Sequence, residues 1–332
     1  MIPRLLFDSP QPKAQHVLLC GVGKMGRRHA DVLRNHPAIA ALSVYDPYAT
    51  LEGAPGVRQI GAEELARVAG SIDLAIVATP TATHGALAET LIRQGVPCLI
   101  EKPMTITLAE HGRIEQLAHE RSVPVAVGFV ERFNPVVVAT KALLHAHRWD
   151  TLRLSRFNPG SARLAHESVV ADLMVHDIDL AFNVLGEPCD GPVEVQATSM
   201  ATERADYVIA SYQGQRSGRV ELCCGRFPGP VVRQIEASGP DGDLLVDLLR
   251  RRFYFTPKSS SMGLVSGWEA QNAHSNALKS QFDDFLALVA HRSKQVIALP
   301  QEARAVQQMV ELIEQKVDAI LAVRRGHLSL VA

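Results

Sequence analysis

Between His16 and Gly128 short apolar runs alternate with stretches of helical periodicity, and this alternation constrains the fold more than any other feature of the chain. Strands are read at His16–Cys20, Ile39–Tyr45, Ile72–Ala78, Val96–Ile100 and Val123–Gly128. Helices are read at Lys24–Asn35, Ala62–Ala69, His84–Gln94 and Leu108–Arg121, the last with a capping box in Thr107 and Glu110. Strands separated by helices rejoin their sheet in parallel through right-handed crossovers, so a doubly wound α/β domain is expected. At 332 residues the chain exceeds what one core usually organises, and a second domain follows. Beyond about residue 190 the rhythm changes. Val193–Ala201, Tyr207–Gln213, Arg219–Phe227, Val231–Ser238, Leu244–Leu249 and Phe253–Thr256 read as consecutive strands, with Gly239-Pro240-Asp241-Gly242 as a turn. An antiparallel meander is expected there, then a helix after Pro300 carried by Ala303, Val306, Val310, Ile313, Val317 and Ile320. The Ser-rich stretch Lys258–Ser261 reads as a mobile loop.

Thirty-four basic residues against 35 acidic ones leave a formal net charge of −1, which argues against a nucleic-acid binder working by bulk electrostatics. Hydrophobic residues at 47% and charged residues at 21% suit a globule with a buried core rather than a disordered chain. No apolar run approaches the ~20 residues that span a bilayer. Met1–Gln15 holds Arg4 and a brief Leu5-Leu6-Phe7 but no extended apolar stretch, so no export signal is read and a cytoplasmic location is expected. The five cysteines, Cys20, Cys98, Cys189, Cys223 and Cys224, show no Cys-x-x-Cys spacing. Reduced thiols are expected.

Gly21-Val22-Gly23-Lys24-Met25-Gly26 sits between a strand and a helix, as a dinucleotide fingerprint requires. The first glycine makes the turn, the second admits a pyrophosphate, and the third lets the helix pack on the strand. The helix N-terminus attracts the anion. Asp46 ends the second strand, where a carboxylate accepts the adenosine ribose hydroxyls and repels a 2′-phosphate, so NAD is the expected cofactor. Two further loops leave the same sheet edge: Thr79-Pro80-Thr81-Ala82-Thr83-His84 and Glu101-Lys102-Pro103. Both are expected to face the nicotinamide. His29, one turn beyond the glycine loop, is read as a packing residue. His111, His119, His145 and His147 are read as solvated.

Ser168 suits an N-cap, while Gly186 and Pro188 suit a helix stop. Between them apolar residues cover nearly every side of the helix, yet Asp172, His176, Asp177 and Asp179 lie among them. Burying charge without a partner costs several kcal/mol. Asp172 and His176 stand one turn apart, an arrangement in which a carboxylate orients an imidazole base. No third ligand of suggestive spacing accompanies them, so no metal is expected.

Taken together, the glycine loop with His29, the Thr79-Pro80 loop ending in His84, Glu101-Lys102-Pro103, Gly128-Phe129 leading to Arg132-Phe133-Asn134-Pro135, and the Asp172…His176-Asp177 helix resemble the glucose–fructose oxidoreductase/inositol dehydrogenase/rhizopine-catabolism (Gfo/Idh/MocA) family. The resemblance runs from about His16 to the end. It implies a Rossmann domain, 1–127, and an α/β domain with a large open, mainly antiparallel sheet, 128–332, for substrate binding and for homodimer or homotetramer formation. It also implies that Lys102, Asp172 and His176 occupy catalytic positions that touch substrate. The cofactor contacts expected with it are Gly21, Val22, Gly23, Lys24, Met25, Gly26, Asp46, Thr79, Pro80, Thr81, His84, Glu101, Lys102 and Arg132.

Within the family, Val127–Pro135 and Asp172–Leu180 look closest to the branch that oxidises UDP-N-acetylglucosamine at C3. Such a branch implies a nucleotide-sugar substrate and a pathway aminotransferase that makes a 3-amino sugar for lipid A or surface polysaccharide. Arg153, Arg156 and Arg163 surround Asn158-Pro159-Gly160, and arginine forks suit a pyrophosphate. Arg156 and Arg163 are therefore expected substrate contacts. In the expected chemistry His176, oriented by Asp172, takes the hydroxyl proton and Lys102 steadies the oxygen, or the two exchange roles. A free sugar or inositol as substrate is the alternative within the fold. A dinucleotide sensor without turnover is the alternative of another class.

Overall fold

Strands whose every residue is buried mark a sheet covered on both faces. Leu74–Val77, Cys98–Glu101 and Val125–Gly128 are of that kind. The computed structural model describes residues 14–51, 56–68, 70–159, 168–199, 204–226, 228–258, 265–266, 275–291 and 296–329. Arg163 and Ser259–Ser261, which the sequence reading singles out, lie outside them. The chain divides into two units, Met1–Ala126 and Val127–Ala332.

The first unit holds β1 (Gln15–Cys20), β2 (Ile39–Tyr45), β3 (Val57–Gln59), β4 (Leu74–Val77) and β5 (Cys98–Glu101), to which β6 (Val125–Gly128) adds at one edge. The sheet runs β3-β2-β1-β4-β5-β6, with β1 parallel to both β2 and β4. Its helices are α1 (Lys24–Arg34), α2 (Ala62–Leu65), α3 (His84–Arg93) and α4 (Leu108–Arg121). The strand order reverses between β1 and β4, and a crevice at the carboxyl ends of such strands is where an open α/β sheet binds ligands. Thr107 caps α4 by accepting from the Glu110 amide at 3.2 Å. His111, read as solvated, is instead fully buried, because it continues the inward stripe of Ile114, Leu117 and Ala118.

The second unit begins with α5 (Pro135–Ala146) and β7 (Thr151–Asn158), to which the sequence reading assigns no element. The signals are present: the Asn134 side chain caps α5 with Pro135 in its first turn, and β7 alternates Leu152 and Leu154 with polar residues. Next come α6 (Val175–Asp179), β8 (Glu194–Thr198), β9 (Tyr207–Gln213), β10 (Arg219–Arg226), β11 (Val232–Gly239), β12 (Gly242–Asp247), β13 (Arg252–Pro257), β14 (Val265–Ser266), α7 (Ala277–Val289) and α8 (Pro300–Ser329). The sheet order is β14-β13-β12-β11-β7-β10-β9-β8. The expected meander is thus interrupted: β7 inserts between β10 and β11, parallel to the first and antiparallel to the second. All other described pairs are antiparallel. Among the described residues no helix is long and apolar enough to cross a membrane.

One face of the sheet buries Leu152, Leu154, Val220, Leu222, Ile235 and Val246. The other carries a surface row in which Arg153 and Arg219 both bond Glu221 and Arg219 also bonds Glu194. The helix 170–184 starts where expected, with the Ser168 hydroxyl oxygen accepting from the amides of Val170 and Ala171 at 3.1 and 3.4 Å. It ends at Gly186, whose φ of 72° is the left-handed geometry of a glycine stop. Replacing Ser168 by Ala removes the cap and is expected to lower unfolding free energy by about 0.5–2 kcal/mol, read as a reduced urea midpoint. An unshifted midpoint would show that the cap contributes nothing.

Candidate active site

Two of the three loop glycines at the cofactor edge of the first unit leave no room for a side chain. Gly21 has φ of 94°, and a Cβ there would stand 2.6 Å from the Ala78 carbonyl oxygen. A Cβ on Gly26 would stand 1.9 Å from the Gly21 carbonyl oxygen, so the helix reaches the loop only because nothing intervenes. Gly23, by contrast, has no atom within 4 Å of its Cβ position and leaves the cradle open. It also places no side-chain cap on α1, so the first-turn amides remain available to an anion. Val22 sits buried behind the loop, Lys24 is exposed and Met25 half-buried. Asp46 follows β2, its Oδ2 accepting from the Val22 amide at 2.9 Å and its Oδ1 from the amides of Tyr48 and Ala49 at 2.9 and 3.1 Å. A carboxylate has about four lone-pair sites, so Asp46 shapes the loop and still has capacity for a ribose hydroxyl. It borders an open cleft with Arg27 and Tyr48. These residues fit a dinucleotide.

Two buried histidines fasten the neighbouring loops. His29 on α1 bonds Glu101 at 2.7 Å, and the other Glu101 oxygen accepts from the Lys102 amide at 3.3 Å. His84 opens α3 with its ring nitrogens 3.0 Å from the Pro103 carbonyl oxygen and 2.8 Å from that of Thr79. Both side chains lie inside the unit, His84 at 1% exposure and Glu101 at 6%. The expectation that His84 touches the cofactor is corrected, since both its ring nitrogens hold the loops that present Thr79 and Lys102; Glu101 keeps lone pairs beyond its contacts with His29 and the Lys102 amide. The Lys102–Pro103 peptide is cis. Lys102, Thr79 and Thr81 are half-buried and Pro80 is exposed. The Thr83 hydroxyl donates to the Pro80 carbonyl at 2.8 Å and lies 2.7 Å from the Thr79 hydroxyl, from which it can accept.

In the second unit the helix 170–184 is not uniformly α-helical. Its first and last parts, Val170–Met174 and Leu180–Val184, are π-helical, and only the turn Val175–Asp179 is α. Such wide turns are rare and occur mostly at functional sites. Asp172 and His176 are both half-buried, and the Arg226 guanidinium donates to Asp172 at 2.6 Å. Arg226 was not expected. It shares the buried parity of Leu222 and Cys224 along β10, and a charge in an apolar row is the signal that could have found it.

Arg156 and Arg132 correct the sequence reading in the same way. Arg156, expected at a substrate pyrophosphate, is 2% exposed and grips Asp177 with Nε and Nη2 at 2.8–3.1 Å, while its Nη1 reaches Glu131 at 3.0 Å. It continues the row of Leu152 and Leu154, which places it on the core face of β7. Arg132, expected at the cofactor, is 4% exposed and grips Asp179 with Nε and Nη2 at 2.6–3.1 Å. Its Nη1 is shared by the Val296 carbonyl and Glu302, each at 3.1 Å. Both guanidiniums are buried, with three of the five N–H donors of Arg156 and four of those of Arg132 committed to these partners.

Burial pushes the Asp177 and Asp179 carboxyls up from the ordinary carboxylate range, against the pull of Arg156 and Arg132. Burial alone would lower Arg156, but the carboxylates of Asp177 and Glu131 outweigh it and hold the guanidinium above its ordinary value. The partners pull in opposite senses. We take both pairs as ionised, because arginine keeps its charge and a protonated carboxyl would turn a donor toward the fork. Glu131 stays low despite its burial, held by Arg156, Asn134 and Arg233.

A family model described as "Oxidoreductase family, NAD-binding Rossmann fold" matches residues 15–129. UDP-N-acetylglucosamine 3-dehydrogenase of Acidithiobacillus ferrooxidans is 32% identical over 291 residues, covering 82% of this chain and 88% of the relative. scyllo-Inositol 2-dehydrogenase (NAD(+)) of Bacillus subtilis is 28% identical over 296 residues, covering 80% of this chain and 85% of that one. The solved structure of the Acidithiobacillus ferrooxidans enzyme GnnA superposes with a TM-score of 0.79 at 24% identity over 92% of this chain and 99% of its own, a likeness of fold.

Replacing Gly26 by Ala must push α1 from the glycine loop. NADH affinity, titrated by fluorescence, is expected to fall at least tenfold, with a stability loss of about 1–3 kcal/mol. Parental affinity in the folded variant would show that this contact does not shape the cradle.

Proposed function

Because this chain belongs to the glucose–fructose oxidoreductase/inositol dehydrogenase/rhizopine-catabolism family, an NAD-binding oxidoreductase family, we propose that it oxidises the 3-hydroxyl of the sugar in UDP-N-acetylglucosamine to the 3-ketone. The observation that carries the reading is the 3-dehydrogenase relative, which this chain matches at 32% identity through both units.

When bound, NAD⁺ supplies the acceptor for the hydride of a CH–OH carbon. The rest falls to side chains. An alcohol is a very weak acid, so its proton needs a base, worth about 10²–10⁴-fold in rate. We assign that proton to a ring nitrogen of His176. Asp172, ion-paired to Arg226, gives the ring a fixed carboxylate one helical turn away. Lys102 holds the reacting oxygen with its Nζ and steadies the charge that develops there. The backbone amide of Lys102 is tied to Glu101, and through it to His29, which limits the freedom of the chain that carries the ammonium.

With Arg156 buried and paired to Asp177 and Glu131, the substrate diphosphate needs other donors, and Arg163 remains in that role. The ketone product suits a pathway aminotransferase making a 3-amino sugar for lipid A or surface polysaccharide, and we place the enzyme in the cytoplasm with its nucleotide-sugar substrate. The open face of the second sheet suits a homodimer or homotetramer. A free cyclic polyol is the second reading, favoured by the scyllo-inositol 2-dehydrogenase relative.

NADH absorbance over a panel of UDP-N-acetylglucosamine, free hexoses and inositols separates these readings. Turnover of an inositol without response to the nucleotide sugar would overturn our assignment. Lys102→Ala and His176→Ala are each expected to lower kcat by about 10²–10⁴-fold, with NADH affinity within about twofold of the parent. Full turnover in either variant removes that residue from the mechanism.

A further inference from the structure

The turn Val175–Asp179 is the only α-helical part of 170–184, with a wide π turn on each side. Both buried arginine forks land on it, one on Asp177 and one on Asp179. An α-helix advances about 100° per residue, so from His176 these two positions lie about +100° and about −60° around the axis. The imidazole therefore leaves the helix in the arc between the two forks. They come from separate elements: Arg156 from β7, and Arg132 from the short 3₁₀ turn Val130–Phe133. Rotating the turn in either sense pulls one carboxylate out of a two-point grip. A planar fork fixes direction as well as distance, which a single ammonium does not.

We propose that Arg156 and Arg132 are positioning residues that set the rotation of the Val175–Asp179 turn through Asp177 and Asp179, and so aim the His176 ring. The proposal rests on the reading of His176 as a catalytic residue. Asp172 and Arg226 act on the ring's neighbour within the wide turn, whereas the two forks act on the turn that carries the ring itself. The fork rather than the charge explains why arginine is used. Glu131 is shared by Arg156 and Arg233, so two carboxylates meet two guanidiniums and the group is neutral inside the unit. A lysine would keep that balance and lose the fork.

Arg156→Lys and Arg132→Lys test this in the full-length enzyme. A misplacement of ~1 Å can cost about 10²-fold in rate. Each variant is expected to lower kcat by about 10–100-fold with the KM for NAD⁺ within about twofold. The pH dependence of kcat/KM should also shift, since the ring meets a changed environment. Rates are read with UDP-N-acetylglucosamine and with myo-inositol. Independently of turnover, the imidazole signals of His176, assigned by their loss in His176→Asn, should pass from one narrow set to several in NAD⁺-loaded variants. A folded Arg156→Lys and Arg132→Lys with parental kcat and one narrow set overturn the proposal while leaving a dead His176→Asn and its catalytic role intact. Full turnover by His176→Asn overturns the catalytic reading, and the proposal with it. Unfolding of both lysine variants and of Asp177→Asn and Asp179→Asn also overturns it, since the forks would then hold the domain rather than aim a ring.

Discussion

Two fully buried carboxylates lie inside a mostly apolar helix, and each is matched there by an arginine that reaches it from another element with two parallel N–H donors. An ion taken out of water costs several kcal/mol, which only close pairing with further hydrogen bonds offsets. That constraint organises the second unit. β7 must bring Arg156 to the core face, and the 3₁₀ turn before α5 must bring Arg132 to Asp179. Asn134 then bonds Glu131 beside Arg156 while capping α5, so the start of that helix and the ion network are built by neighbouring residues.

The first unit uses a smaller version of the same device. Its loops at the carboxyl ends of β1, β4 and β5 are joined by two histidines. His29 ties the helix after the glycine loop to the residue beside Lys102, and His84 ties the Thr79 loop to Pro103. Loops at a ligand-binding edge cannot be held by hydrophobic packing alone, because one side has to stay open. Buried polar contacts with definite directions supply the missing stiffness.

Much of this was legible in the residues. The glycine loop, Asp46 and the strand ends at Thr79 and Glu101 could be placed because a parallel sheet puts the carboxyl ends of its strands on one edge. Ser168 and Gly186 could be placed because caps are local chemistry. For Arg156, Arg132 and His84 the structure differs from the sequence expectation for a common reason. Each has a side chain well suited to a phosphate or a cofactor, and sequence shows the chemistry of a group without showing which partner reaches it first. Arg156 had one warning, its parity with Leu152 and Leu154, but parity reads only once β7 is recognised as a strand.

The sequence by itself determined the parallel sheet of the first unit, the dinucleotide cradle and the presence of charge inside one apolar helix, because periodicity, turn chemistry and capping act within about ten residues. The tertiary structure alone decided the insertion of β7 between β10 and β11 and the partners of the buried Arg156 and Arg132. Those choices join residues far apart in the chain, 21 apart for Arg156 and Asp177 and 47 for Arg132 and Asp179, and no local rule selects among the carboxylates that a guanidinium could meet.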